Sequence, residues 1–142
     1  MNLTPETKII VQGIAETVGS HYASRMKAYS TNIVAGVSVG QGGQQIDEIP
    51  VFDLVEEAIS ALGTVDTSLI FVEPYKVLDA AREAIAAGIR QIVIVSGGVP
   101  PLDMVMLMQK ARATNTLILG AGSAGLLVPD RIWLGTCEPQ FY

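Results

Sequence analysis

The residues best suited to chemistry in this chain lie in three glycine-bearing turns, Gly13 to Gly19, Gly40 to Gly43 and Ser96 to Gly98, each directly after an apolar, β-rich run. Turns of this kind at the carboxyl ends of parallel strands hold nucleotide-like ligands, because backbone N–H groups and a helix N-terminus attract phosphate. The loop Ile14 to Gly19 is the first candidate for a pyrophosphate cradle. It lacks the GxGxxG spacing of a dinucleotide fingerprint and the GxxxxGK(S/T) of a P-loop. Glu16 also places a carboxylate where an anion would lie. A tight strand-to-helix turn with no ligand accounts for this loop equally well.

Other chemistry finds little support. His21 is the single histidine and Cys137 the single cysteine, so neither a metal site nor a disulfide within the chain can be assembled from them. His21 reads as a partly exposed residue of the first helical turn beside Tyr22. The run Gly122 to Gly125 (GSAG) is a turn and lacks the GxSxG pattern of a nucleophile elbow. No catalytic residue is assigned.

The elements that must position these turns alternate along the chain. Lys8 to Gln12 reads as a buried strand, followed by a helix with Tyr22, Met26 and Tyr29 on one face and Ser20 as its N-cap. Asn32 to Val37 is a second strand, and a polar loop then leads to Ile49, Pro50 and Val51. Asp53 and Glu56 resemble a capping box for a helix striped by Leu54, Val55, Ala58, Ile59 and Leu62 and closed by Gly63. Thr67 to Val72, Gln91 to Val95 and Thr116 to Leu119 read as strands, separated by helices at Val77 to Ala87 and from Pro101 onward. Ile132 to Leu134 would add a short edge strand. This order predicts an α/β fold: a single Rossmann-like domain over residues 1–142, with a doubly wound, mainly parallel sheet of about five strands.

Composition narrows the partners. Charged residues make up 16% of the 142 residues, whereas soluble domains average about 25%. A surface this poor in charge is expected to hide part of itself against another subunit, making the chain a homo-oligomer. The helix after Pro101 carries Leu102, Met104, Val105, Met106, Leu107 and Met108 around nearly its whole circumference, so Met106 and Met108 are expected at that contact, with the aromatic end Phe141 and Tyr142 as a further contributor. The alternative is that the sheet and C-terminal tail cover this helix within one subunit. A formal net charge of -5 with scattered basic residues argues against nucleic acid and anionic membrane. The lone cysteine, and the lack of a signal peptide or a spanning apolar run, fit a cytoplasmic protein.

The runs KIIVQGI, AYSTNIVAGVSVGQGG, IPVFDLVEEA and EAIAAGIRQIVIVSGGVPPLDM together resemble the CoA-binding N-terminal domain of the succinyl-CoA synthetase alpha subunit family. The resemblance implies CoA or acyl-CoA as ligand, with Thr17, Val18, Gly19, Ser20, Ser38, Gln41, Ser96, Gly97 and Gly98 as contact residues. Where that family has GSQG, this chain has Glu16, Thr17, Val18 and Gly19; where it has GKGG, Gln41 replaces the lysine that pairs with CoA phosphate. Its TEGIP becomes Ser96, Gly97, Gly98, Val99 and Pro100, and its GPNCPG becomes Gly120 to Gly125. A hydrogen bond to a charged group is worth about 1.5 to 3 kcal/mol. The lost lysine and the added Glu16 together predict CoA binding weaker by roughly two to four orders of magnitude.

Three functions are compatible with these residues. The first is a stand-alone binding module for CoA, an acyl-CoA or a related adenine nucleotide, serving as a sensor or accessory subunit. The second is an interaction or scaffold protein that kept the fold and lost the ligand. In the third, the chain is the CoA-binding half of a split acyl-CoA ligase. The family's phosphohistidine domain and nucleotide-binding subunit would then lie on partner polypeptides.

Overall fold

The β-branched run at Ile9–Gln12 forms the central strand β1, buried along its length as its composition requires. The computed structural model describes residues 6–28, 31–120, 125–128 and 132–135. Within them the order is β1 (Ile9–Gln12), α1 (Thr17–Ala28), β2 (Ile33–Val37), β3 (Gln45–Ile46), β4 (Ile49–Phe52), α2 (Val55–Leu62) and β5 (Thr67–Ile70). A 3-10 turn at Pro74–Lys76 leads into α3 (Val77–Ala86), followed by β6 (Gln91–Ile94), α4 (Pro101–Thr114), β7 (Leu117–Leu119), β8 (Gly125–Val128) and β9 (Ile132–Gly135).

Seven strands form one sheet in the order β3-β4-β2-β1-β5-β6-β7, parallel except for the β3–β4 hairpin. In register, Val11 stands opposite Gly36 on one side and Leu69 on the other. The α/β class and doubly wound sheet are as expected, with β3 and β4 in addition to the five expected strands. Alternate residues of each buried strand feed two cores. Ile10, Ile70, Ile92 and Ile94 pack with residues of α2, α3 and α4, such as Val55, Ala81 and Leu107. Ile9, Val11, Leu69 and Val93 pack with Ala23 and Met26 of α1 on the other face. The chain winds to β2 on one side of β1 and later returns to β5 on the other, so the strand order reverses at β1.

Several local expectations are corrected. Ser20 lies inside α1, its N–H donating to the Glu16 carbonyl at 2.8 Å, because the helix begins as soon as the glycine turn is complete. Asp53 does not cap α2: the helix starts at Val55 without a side-chain cap, and the Val55 N–H donates instead to Glu83 Oε2 at 2.7 Å. Asp53 is drawn back to the Gly40 turn, where backbone donors compete for its carboxylate. Ile132–Gly135 is a strand, but it pairs antiparallel with β8 in a separate hairpin alongside α1 and adds nothing to the edge of the main sheet.

Around α4, Leu107 and Ala111 are buried, whereas Leu102, Met106 and Met108 are 69%, 37% and 38% exposed. Among the described residues, one face of this helix meets α3 and the sheet while Leu102, Val105, Met106 and Met108 stay exposed. Tyr29, the Ala121 to Ala124 part of the last glycine turn, Cys137, Phe141 and Tyr142 lie outside the described residues.

Candidate functional site

A cleft of about 440 Å³ opens at the carboxyl ends of β1, β2 and β5, at the reversal of strand order. Open α/β sheets bind their ligands at this kind of position. β1 and its turn contribute Gln12, Gly13, Ala15 and Glu16; the end of β2 contributes Val37, Ser38, Val39 and Gln41. Val72 after β5, Lys76 at the end of the 3-10 turn, and Asp79, Ala80 and Glu83 of α3 complete the lining.

Glycine is required where the floor of this cleft is tightest. A Cβ on Gly13, whose φ is +87°, would fall 2.9 Å from the Val72 nitrogen, and one on Gly19 would fall 2.2 Å from the Gly13 carbonyl oxygen. The first turn of α1 is thus seated directly on the β1 turn, and the first N–H groups of any helix have no partner within it. This end of α1 carries the partial positive charge that favours an anion.

The polar side chains of the floor are largely committed to structure. The Gln12 amide, 2% exposed, donates to the Ala80 carbonyl at 2.9 Å and accepts from the Ser68 hydroxyl at 2.6 Å. It therefore ties β1 to both β5 and α3. Ser38 Oγ accepts the Ala15 N–H at 3.0 Å, holding the end of β2 against the β1 turn. The Gly40 and Gly42 N–H groups both donate to Asp53 Oδ1, at 2.8 and 3.0 Å.

Charge in the cleft is mainly acidic: Glu16, Asp79 and Glu83 face one cation, Lys76, whose Nζ lies 3.8 Å from Glu73 Oε2. Partial burial pushes the Glu16 carboxyl above the usual carboxylate range, and the Glu73 charge adds to the rise. Lys76 and the Glu73 backbone N–H pull it back. Glu16 therefore links the β1 turn electrostatically to the turn after β5.

Of the residues predicted from sequence, the cleft brings together Ser38 and Gln41. Thr17, Val18, Gly19 and Ser20 form the first turn of α1 beside it. Ser96, Gly97 and Gly98 follow β6, one strand beyond β5, and do not line it; the Ser96 hydroxyl donates to the Val72 carbonyl, and Gly98 sits near Pro74. Gln12, Lys76, Asp79 and Glu83 were not anticipated. A lone polar residue closing the run KIIVQ, and polar residues at helical spacing from Lys76 to Glu83, were the signals available. His21 is exposed and packs edge-on against Tyr22, with ring centroids 4.9 Å apart. Among the described residues no group of three potential ligands could hold a metal, and no helix is long and apolar enough to cross a membrane.

Residues 4–98, which include both turns that build the cleft, match the CoA binding domain family. The chain belongs to that family. It is 40% identical over 129 residues to the subunit alpha 1 of the ADP-forming succinate–CoA ligase of Archaeoglobus fulgidus, covering 91% of this chain and 44% of that subunit. It is 36% identical over 141 residues to the malate–CoA ligase subunit alpha of Methylorubrum extorquens, covering 96% of this chain and 47% of that one. This CoA-binding domain thus spans less than half the length of these curated relatives. The fold is shared with the ATP citrate lyase of Methanothrix soehngenii, solved in complex with citrate and coenzyme A, at a TM-score of 0.78 and 18% identity over 95% of this chain and 24% of that one. The resemblance read from the glycine turns and strand motifs is therefore correct.

Proposed function

We propose that this domain holds CoA, an acyl-CoA or a related adenine nucleotide weakly in the cleft between β1, β2 and β5, as a sensor or accessory subunit. The observation that carries this reading is the α1 N-terminus seated on the Gly13 turn at the point where strand order reverses. An anion there meets the positive end of the α1 dipole and the Lys76 ammonium. Weakness follows from the carboxylates of Glu16, Asp79 and Glu83 on the same cleft and from the neutral Gln41. Thr17 to Ser20, Ser38 and Gln41 are the proposed contacts, with Ser96 to Gly98 reached by the thiol-bearing arm of a CoA-sized ligand. Relatives are alpha subunits of CoA ligases, which supports a ligase partner subunit for this chain. No residue of the cleft forms a nucleophile–base pair, so any ligase chemistry would belong to that partnership.

The test is a calorimetric titration with CoA, using ADP and NAD as controls. A saturable CoA signal in the micromolar to millimolar range is expected. No heat with any of the three at millimolar ligand would overturn the reading.

One observation favours an interaction role in addition. Leu102, Val105, Met106, Met108 and Leu117 are exposed on α4 and the edge strand β7. We assign this face to contact with a second copy of the chain, with Met106 and Met108 in the contact. Sedimentation should show a homo-oligomer that M106K/M108K dissociates; a wild-type monomer at high concentration would refute the assignment.

A further inference from the structure

The end of β2 is closed to anions, and this decides which adenine nucleotide the cleft accepts. In a doubly wound sheet, the residue after β2, about 20 residues beyond the glycine loop, reads the adenosine ribose. An acidic side chain there takes free ribose hydroxyls, whereas a guanidinium there takes a ribose phosphate. In this chain Ser38 follows β2 directly, and Gln41, three residues further along the same turn, lines the cleft with it. Its side-chain amide offers donors and an acceptor without charge, which suits hydroxyls.

The backbone around Gln41 offers an anion nothing more. Gly40 and Gly42 donate their N–H groups to Asp53 Oδ1 at 2.8 and 3.0 Å. Gln41 donates to the Ser38 carbonyl at 3.1 Å and Gly43 to the Val51 carbonyl at 3.0 Å. Four consecutive amides, the groups that would form an anion-binding nest, are thus turned inward and satisfied. The carboxylate that satisfies two of them puts a negative charge directly beneath the turn. A Cβ on Gly42 would fall 2.7 Å from Asp53 Oδ2, so the turn and the carboxylate are in contact.

Cations do not compensate. Lys76, the sole cation among the residues that line the cleft, follows β5, two strands away from β2. At roughly 4.8 Å per strand that is about 10 Å across the sheet, a distance at which physiological salt screens most of the attraction. Lys27 is committed elsewhere, its Nζ 2.6 Å from the Asp47 carbonyl and 3.7 Å from Glu48 Oε2. Positive potential in the cleft is therefore confined to the α1 N-terminus and Lys76, where the pyrophosphate would lie.

We infer that the cleft selects an adenosine pyrophosphate ester whose ribose carries no phosphate, so that a dephospho form of CoA is bound at least as well as CoA itself. This rests on the nucleotide-binding reading of the cleft given above. The ribose phosphate of CoA would gain no cation at Gln41 and would face Asp53. A ligand with free ribose hydroxyls avoids that repulsion and can hydrogen-bond to the Gln41 amide.

The experiment is paired calorimetry of the wild-type protein with CoA and dephospho-CoA at one pH and physiological salt, then of Gln41→Lys with the same two ligands. The wild type is expected to bind dephospho-CoA as tightly as CoA or more tightly. Gln41→Lys should tighten CoA about tenfold, the effect of one charged hydrogen bond, while changing dephospho-CoA by less than a factor of about two. Tighter binding of CoA by the wild type, beyond measurement error, overturns the inference and leaves the nucleotide-binding reading standing. Equal tightening of both ligands by the lysine also overturns it, because the turn would then face the pyrophosphate. Heat from neither ligand at millimolar concentration overturns the binding reading itself, and this inference with it.

Discussion

The turns after β1 and β2 look alike in sequence, each a cluster of glycines closing an apolar strand, yet they are physically opposite. After β1, glycine is needed because backbone meets backbone: Gly13 lies against Val72, and Gly19 against the Gly13 carbonyl. Packing on that scale seats the N-terminus of α1 on the β1 turn, immediately after the cleft residue Glu16. After β2, Gly40 and Gly43 have open space around them, and the amides of the turn are directed inward to Asp53, Ser38 and Val51. The first turn is packed backbone against backbone and seats a helix N-terminus; the second is open around Gly40 and Gly43 and holds its four amides on Asp53, Ser38 and Val51. A glycine-rich turn therefore marks a place on the sheet. Residues remote in sequence, Val72 for one turn and Asp53 for the other, decide whether it attracts an anion.

The comparison breaks most sharply at Gly19. In Gly19→Ala the new methyl would meet a carbonyl oxygen at 2.2 Å, and a backbone atom there has no rotamer through which to yield. The overpacking is expected to cost about 3 kcal/mol, outweighing the roughly 1 kcal/mol that alanine gains over glycine in a helix. Denaturant unfolding measures the difference. A loss below about 1 kcal/mol would mean that α1 slides freely on the β1 turn.

The second turn should respond at Asp53. Asp53→Ala removes an acceptor shared by two backbone donors and is expected to cost about 2 kcal/mol of stability. Asp53→Asn retains an oxygen acceptor and should lose about half of that. Both should tighten CoA, because each removes a charge beneath the turn, and Asp53→Ala also frees the Gly40 and Gly42 amides. Weakened CoA binding by a folded Asp53→Asn protein would show that the closed turn itself positions the ligand.

Local signals carried much of the fold. The five expected strands, the stop of α2 at Gly63, whose N–H donates to Ile59, and the start of α4 at Pro101 are all written in residues within a few positions of each element. The β3–β4 hairpin was not legible, because Gln45–Ile46 is two residues long and Ile49–Phe52 contains a proline, so neither shows a strand period; their pairing is a tertiary event. The capping reading of Asp53 failed for a related reason: two backbone donors from 11 and 13 residues earlier outcompete the helix that it immediately precedes. In the site, Ser38 and Gln41 were legible because they stand in the turn itself. Lys76, Asp79 and Glu83 reach the cleft only once the crossover lays α3 beside β1, and Gln12 shows its role only through Ala80 and Ser68.

The smallest expected effect concerns the carboxylate that each turn carries. Asp53 is satisfied from within its turn, whereas Glu16 stands at the mouth of the first turn, where burial and then the Glu73 charge raise its pKa against the pull of Lys76. A raised pKa means that folded Glu16 binds its proton more readily than unfolded Glu16. Its contribution to stability is most favourable below the ordinary carboxylate pKa and declines as pH rises through the raised value. Glu16→Gln should therefore be slightly more stable than wild type at neutral pH, with the difference vanishing in acid. An anion seated on α1 would raise this pKa further, so ligand binding by the wild type should take up a fraction of a proton. Titrating both proteins with the same ligand over the same pH range cancels the ligand's own ionisation. The expected result is about threefold tighter binding by Glu16→Gln at pH 7, converging with wild type as pH falls. Parallel pH profiles would place the Glu16 carboxylate away from the bound anion, and the first turn would then be as closed to charge as the second.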